Sequence, residues 1–138
     1  MKAIYLPLLA AAAALPVHAN SLSRAYVHSV KSAAGGNEVV SGRDTTTRDH
    51  GGAWMHILTD EIGYGQRAKA SLLSNSLREI AKEPICRAGN GVGPCRRGDA
   101  IVGYRRTWDA SGHQGGNFEY VVYPAGSGSA QRVAFQVQ

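Results

Sequence analysis

The sequence predicts an α+β domain, in which an antiparallel sheet of about four strands carries one or two helices on one face. Two observations support this fold class. Residues 100–138 are rich in β-branched and aromatic side chains and are interrupted by turn residues, which is typical of antiparallel strands. Residues 52–82 instead place apolar side chains at helical spacing, so helices are expected between the first strand and the others.

Four segments are predicted to be strands. Residues 24–30 combine β-branched and aromatic side chains and end shortly before a pair of glycines. Residues 100–108 and 117–123 flank a connection rich in turn residues, 109–116, and are predicted to form a long hairpin. In residues 132–138 apolar side chains occupy every second position, so this strand should bury one face.

The first predicted helix covers residues 52–62 and is followed by Gly63, which is placed to end it in the left-handed conformation. Its apolar side chains fall at positions i, i+3, i+4 and i+8: Trp54, Ile57, Leu58 and Ile62. Asp60 and Glu61 would lie in its last turn, where the helix dipole disfavours negative charge. This local conflict indicates either a functional role or an offset by His56.

A second, short helix is expected before Cys86. Residues 76–79 read Ser-Leu-Arg-Glu, which is the form of a capping box. Leu77 and Ile80 continue a helical face until Pro84 ends it. The alternative is an extended segment leading into the cysteine, because so few helical matches do not decide a short apolar run.

Two segments are predicted to be loops. Residues 41–51 have neither helical nor alternating apolar spacing and are dense in side chains that bond their own backbone. Residues 124–131 are rich in glycine and serine and form a linker before the last strand.

The N-terminus has the features of a secretory signal peptide over residues 1–19. Lys2 precedes an apolar run that is shorter than the roughly 20 residues a membrane-spanning helix needs. Small residues precede the expected cleavage between Ala19 and Asn20. Residues 20–138 are then expected to be a single domain without a membrane span, secreted or located in the periplasm.

Cys86 and Cys95 are the only two cysteines of the chain. An exported protein meets an oxidising compartment, so a disulfide between them is expected. A structural zinc site would need more ligands than two cysteines supply.

Four short motifs, each present once, together span about half of the predicted domain. In chain order they are Asp49-His50-Gly51-Gly52, Ile85-Cys86-Arg87-Ala88-Gly89 with Cys95, Val102-Gly103-Tyr104 with Trp108-Asp109, and Gly112 with Gly116-Asn117-Phe118. On these motifs the chain resembles the YolA-like family of small secreted bacterial proteins of unknown function. The resemblance implies secretion, one disulfide and a compact mixed domain. It assigns no activity and no catalytic residue.

A non-enzymatic binding or interaction module is favoured, because the strongest sequence features are structural and no catalytic signature rises above chance. The formal net charge is +5, and eleven of the fifteen basic residues are arginine, whose planar guanidinium binds carboxylate, phosphate and aromatic groups. The partner is expected to be an acidic or carbohydrate ligand, or a host or envelope protein. The predicted ligand-binding residues are Arg105, Arg106, Trp108 and His113. The alternative is that Trp108 is a core residue and that the basic charge only keeps the protein soluble.

A small secreted hydrolase, above all a nuclease, is the alternative function. His50 and His113 would serve as general acid and base, oriented by Asp49 or Asp109. Arg105 or the arginine after it would hold the phosphate. No cofactor and no metal are expected, and the domain is expected to be a monomer.

Overall fold

The computed structural model describes residues 21–138, and each regular element in that range is a β-strand. The strands are β1 (Leu22–Ser32), β2 (Gly36–Val39), β3 (Met55–Gly63), β4 (Gly65–Leu72), β5 (Asn75–Ser76), β6 (Arg78–Ala88), β7 (Gly91–Pro94), β8 (Ile101–Asp109), β9 (Gly116–Pro124) and β10 (Gln131–Val137). They form a six-stranded sheet in the order β2-β1-β3-β8-β6-β7 and a four-stranded sheet in the order β10-β9-β4-β5. The predicted α+β class is therefore wrong for the described residues, which are all-β.

The hydrophobic core lies between the two sheets. The six-stranded sheet contributes Val27, Val30 and Ile57, and the four-stranded sheet contributes Phe118 and Val122; all five are buried. Along β9 the core residues alternate with more exposed ones, as the two-residue period of a strand requires, whereas a β-bulge between Val27 and Ser29 shifts this period in β1. We call the side of the six-stranded sheet that points away from this core its outer face.

The helix predicted over residues 52–62 is strand β3, and the prediction was wrong because polar residues occupy inward positions. Four buried residues occupy alternate positions of this strand: Met55, Ile57, Thr59 and Glu61. Two of them are polar, so the apolar residues of the segment show helical spacing instead of the strand's alternation. Asp60 and Glu61 conflicted with a helix dipole only because the segment was predicted to be a helix. In the sheet β3 pairs with β8, which sets Arg105 opposite Asp60 and brings Arg106, opposite Thr59, within reach of Glu61.

The second predicted helix is also wrong, and its extended alternative is confirmed. Residues 75–76 form β5, and β6 runs from Arg78 through Cys86 as a neighbour of β8. Most side chains of β6 are exposed, so the sequence carries no alternation to reveal the strand. Backbone pairing to β8 and β7 sets its conformation instead.

The four predicted strands correspond to β1, β8, β9 and β10, and the predicted loop over 41–51 lies between β2 and β3. The hairpin predicted around residues 109–116 is wrong, because β8 and β9 belong to different sheets. Ala110 is fully buried, and its N–H donates to the Met55 carbonyl at 2.9 Å, which directs the chain across the core. The turn residues of 109–116 correctly predicted that the chain changes direction after β8, but they did not predict with which strands β9 pairs.

The six-stranded sheet curls strongly. Gly91 and Val92 of its edge strand β7 line the same pocket as residues of β1. The predicted disulfide is confirmed, since Cys86 in β6 is bonded to Cys95 just after β7, with 4.9 Å between the two Cα atoms. Within residues 21–138 no helix has the length and apolarity needed to cross a membrane. The predicted signal peptide, residues 1–19, lies outside the described residues.

Candidate functional site

A row of polar side chains crosses the outer face of the six-stranded sheet. The register sets Tyr26 of β1 opposite Asp60 of β3, Asp60 opposite Arg105 of β8, and Arg105 opposite Glu83 of β6. Residues directly opposite one another in a sheet point to the same face, so these side chains are neighbours. Polar residues in the middle of a sheet are therefore brought together by strand pairing alone.

Asp60 and Arg105 form the centre of this row. The Arg105 guanidinium donates from Nε to Asp60 Oδ1 at 2.7 Å and from Nη2 to Oδ2 at 2.9 Å, a bidentate ion pair. Asp60 is fully buried, whereas the Arg105 side chain keeps 16% of its surface exposed. The hydrogen bonds to Asp60 raise the pKa of Arg105, so the pair stays ionised at neutral pH.

His28 lies beside this ion pair. Its Nδ1 is 3.2 Å from the Ser41 hydroxyl and 3.7 Å from Asp60 Oδ2. Burial, together with the positive charge of Arg105, lowers the pKa of His28, so the ring is neutral at neutral pH. Among residues 21–138, no side chain or backbone group bonds its Nε2. That nitrogen is therefore available to a ligand.

Tyr26 and Arg24 complete the group. Burial, followed by the nearby Asp60 carboxylate, raises the pKa of Tyr26 to about 12, so the phenol stays protonated. The exposed Arg24 guanidinium lies over the Tyr26 ring, 4.6 Å from its centroid. We call Arg24, Tyr26, His28, Asp60 and Arg105 the outer-face cluster.

The outer-face cluster opens into a pocket of about 340 Å³. Arg24, Tyr26 and His28 form one wall, the loop at 41–42 forms a second, and the β7 edge forms the third. This volume is within the range of small-ligand sites, roughly 300–1,000 Å³. Groups with shifted pKa values that lie together in a pocket are the usual mark of a functional site.

Two of the predicted ligand-binding residues lie on the other face of the sheet, in the interior. Trp108 belongs to the core and donates from Nε1 to the Thr59 hydroxyl at 2.9 Å, so the alternative reading of Trp108 as a core residue is confirmed. Arg106 is also buried and is held by acceptors of the protein itself. Neither side chain offers surface to a ligand. Arg105 belongs to the outer-face cluster through its ion pair with Asp60 but does not line the pocket.

Arg106 is the hub of a buried ion network between the sheets. Its guanidinium bonds both carboxylate oxygens of Glu61 and donates from Nη1 to Glu79 Oε1 at 2.7 Å and from Nη2 to the Gly65 carbonyl at 3.4 Å. The Tyr120 hydroxyl donates to Glu61 Oε1 at 3.3 Å. Burial alone would lower the pKa of Arg106, but the hydrogen bonds to Glu61 and Glu79 raise it.

Gly65 is where the backbone passes closest to this network, and Gly65→Ala is expected to destabilise the fold by about 2 kcal/mol. An added methyl group would overlap the Glu61 carboxylate and would lie 2.6 Å from Val122 Cγ2. Gly91→Ala is the control, because its nearest neighbour, the Ala88 carbonyl oxygen, is 4.0 Å away. Urea unfolding of both variants checks the prediction, and equal midpoints would contradict it.

His50, predicted as a catalytic residue, is buried in a hydrogen-bond chain. Its Nε2 lies 3.1 Å from Glu38 Oε1, and its Nδ1 lies 2.8 Å from the Ser32 hydroxyl. A carboxylate only accepts, so Nε2 donates to Glu38, and in the neutral ring Nδ1 accepts from Ser32. Serine, histidine and carboxylate follow in the order of a hydrolase triad. All three are nevertheless buried, so a substrate does not reach the hydroxyl, and the chain fastens the 41–51 loop to β1 and β2.

The other predicted site residues lie at the end of β8 and in the polar loop. The His113 N–H donates to the Ala110 carbonyl within a turn, and its side chain is half-buried. Asp109 accepts from the Ser111 N–H at 3.1 Å; hydrogen bonds from Ser111 lower its pKa. Asp49 is exposed. No hydrogen bond or ion pair in the described part of the chain joins His113 to His50 or to Asp49.

Sequence reasoning missed four of the five members of the outer-face cluster: Arg24, Tyr26, His28 and Asp60. Arg24, Tyr26 and His28 occupy every second position of a segment correctly predicted as a strand, so one polar face was visible in the sequence. Asp60 was noted only as a misplaced charge. Its partnership with Arg105 depends on the pairing of β3 with β8, which sequence spacing does not encode.

Within residues 21–138, no three histidine, cysteine, aspartate or glutamate side chains are arranged to hold a metal ion. No curated protein is significantly similar to this chain, and neither is any solved structure. A family model does match: the one described as a domain of unknown function (DUF4879) covers residues 11–134, and the chain therefore belongs to that family.

Proposed function

We propose that this protein is a secreted, non-enzymatic binding module that takes the anionic group of a small ligand, a carboxylate or a phosphate, in the pocket of the outer-face cluster. The observation that carries the proposal is that the free Nε2 of His28 and the exposed Arg24 guanidinium belong to residues lining the same pocket. The one carboxylate of the cluster, Asp60, is already neutralised by Arg105. Among residues 21–138, Arg24 has no carboxylate partner and His28 Nε2 has no hydrogen-bond partner, so both can meet an anion in the pocket.

Secretion is part of the same proposal and has two supports. The Cys86–Cys95 disulfide is consistent with an extracellular or periplasmic location. The resemblance of the sequence motifs to the YolA-like family also implies export. Cell fractionation of the full chain, with mass spectrometry of its N-terminus, tests this point, and an uncleaved cytoplasmic product would refute it.

Hydrolysis is the second candidate, and the geometry gives it less support. The His50 imidazole has both nitrogens bonded inside the protein, so it is not available to exchange a proton with a substrate. Arg105 and Arg106 point to opposite faces of β8 and do not act on one phosphate together.

The test is an NMR titration of the oxidised protein with inorganic phosphate and, separately, with citrate. Either anion should shift the His28 ring signals and raise the pKa of His28, because a bound anion favours the imidazolium. Arg24→Gln should weaken binding about tenfold, as expected for the loss of one charge-assisted contact. Arg67→Gln is a matched control, because Arg67 lies 4.9 Å above the Tyr123 ring on the other sheet.

The two titrations identify the anionic group, since the stronger ligand reveals whether the pocket prefers phosphate or carboxylate. Unchanged His28 signals with both anions would overturn the proposal. Equal weakening by Arg24→Gln and Arg67→Gln would also overturn it, because the effect would then be one of net charge. A short RNA oligonucleotide that the wild-type protein cleaves would establish the hydrolase instead.

A further inference from the structure

A second concave surface lies on the four-stranded sheet. The side of this sheet that points away from the core carries an open groove of about 480 Å³. The pairing of β4, β9 and β10 sets Lys69, Val121 and Arg132 in one row and Ser71, Glu119 and Ala134 in the next. These six residues line the groove and are absent from the hydrophobic core cluster between the sheets.

The row with Lys69 and Arg132 supplies two cations that are free to meet a ligand. Both side chains are exposed, and neither has a carboxylate within ion-pair distance among residues 21–138. Neighbouring strands are about 4.8 Å apart, so the two backbones that carry these cations are separated by roughly 10 Å. Val121 lies between them as an apolar floor.

We propose that this groove binds a segment of an acidic polysaccharide. Lys69 and Arg132 would hold two carboxylates of the chain, while the hydroxyls of Ser71 and Ser76 and the Glu119 carboxylate would bond sugar hydroxyls. Val121 and Ala134 would contact the C–H faces of the sugar rings. Small apolar contacts with a few convergent polar groups are typical of ligand sites.

The chemistry of the groove favours a sugar over a single-stranded nucleic acid. Binding to single strands relies on exposed aromatic side chains on which bases stack. The Tyr120 ring is buried on the core side of the sheet. The Tyr123 ring, next to the groove, is covered by the Arg67 guanidinium. The Glu119 carboxylate can accept hydrogen bonds from sugar hydroxyls, which are abundant on a polysaccharide.

This surface is separate from the outer-face cluster, because the two lie on different sheets. The test is calorimetric and NMR titration of the folded, oxidised protein with a hexamer of galacturonic acid. Binding should shift amide signals of β4, β9 and β10 at hexamer concentrations below those that shift the His28 ring signals, and it should weaken with added salt. Lys69→Gln combined with Arg132→Gln should weaken affinity at least tenfold while preserving the rest of the amide spectrum.

The control is Arg87→Gln combined with Arg97→Gln, which removes the same charge from two exposed positions near the disulfide. Its affinity should equal that of the wild type, and an equal loss would show a general charge effect and overturn the proposal. Absence of binding to the hexamer would overturn it too. Equal affinity for a six-residue oligothymidylate would overturn the sugar assignment, and shifts confined to His28 would place the ligand in the other pocket.

Discussion

Arg106→Met should destabilise the protein by about 3–5 kcal/mol, the effect expected when one partner of a buried ion pair is removed. The change leaves the fully buried Glu61 carboxylate without its cation, although Tyr120 still donates to it. It also leaves the Gly65 carbonyl without the Arg106 donor. Urea unfolding at neutral pH measures the loss as a lower midpoint at unchanged slope.

A double-mutant cycle separates the buried charge from the lost packing. Glu61→Gln in the Arg106→Met background removes the unpaired charge and keeps an acceptor for Tyr120, so it should recover part of the stability. Arg78→Met is the control, because the Arg78 side chain is 79% exposed and lies 3.7 Å from Asp109. That exposed pair should contribute less than about 1 kcal/mol. Equal losses for Arg78→Met and Arg106→Met would contradict the buried network.

The strands that alternate cleanly were predictable, and β3 shows why the others were not. Val133, Phe135 and Val137 of β10 are apolar at every second position, so the period of the strand is visible. In β3 the inward Thr59 and Glu61 are polar because they bond partners on β8 and β9. A pattern based on hydrophobicity fails where buried side chains are stabilised by hydrogen bonds and ion pairs.

Only the residues of the candidate site that are close together in sequence could be predicted. The polar side chains of β1 alternate within one segment, whereas Asp60 and Arg105 are 45 positions apart in the chain. Contacts of that separation depend on strand order and register, which short-range spacing does not contain. The same limit applies to His50, predicted as a catalytic residue on a loop, because its bonds to Ser32 and Glu38 join it to residues 18 and 12 positions away.

Strand β3 links the core to the candidate site. Its neighbouring carboxylates point to opposite faces, so Asp60 serves the outer-face cluster while Glu61 serves the buried network. Each is paired with one of two neighbouring arginines of β8. Because both ion pairs fix the same pairing of strands, a shift of register would break the core and the site together.

Glu38→Gln should destabilise the protein by about 3 kcal/mol at neutral pH. Glu38 Oε2 accepts from the Thr47 N–H, the Thr47 hydroxyl and Arg43, while Oε1 accepts from the Arg48 N–H and from His50. A glutamine keeps one acceptor oxygen, so at least two of these donors lose their partner. Glu119→Gln, at an exposed position of β9, should change stability by less than about 0.5 kcal/mol.

The same carboxylate should make stability depend on acid. Burial would raise the pKa of Glu38, but the hydrogen bonds from Thr47, His50 and Arg48 outweigh it and lower the pKa from 4.5 to about 2. The depressed pKa means that the stabilisation is complete above about pH 4.5 and is lost as the pH falls toward 2. Urea midpoints measured between pH 7 and pH 2 should therefore fall less steeply in Glu38→Gln than in the wild type. Parallel curves would show that Glu38 is not the group that titrates, because a glutamine removes its proton binding from both the folded and the unfolded state.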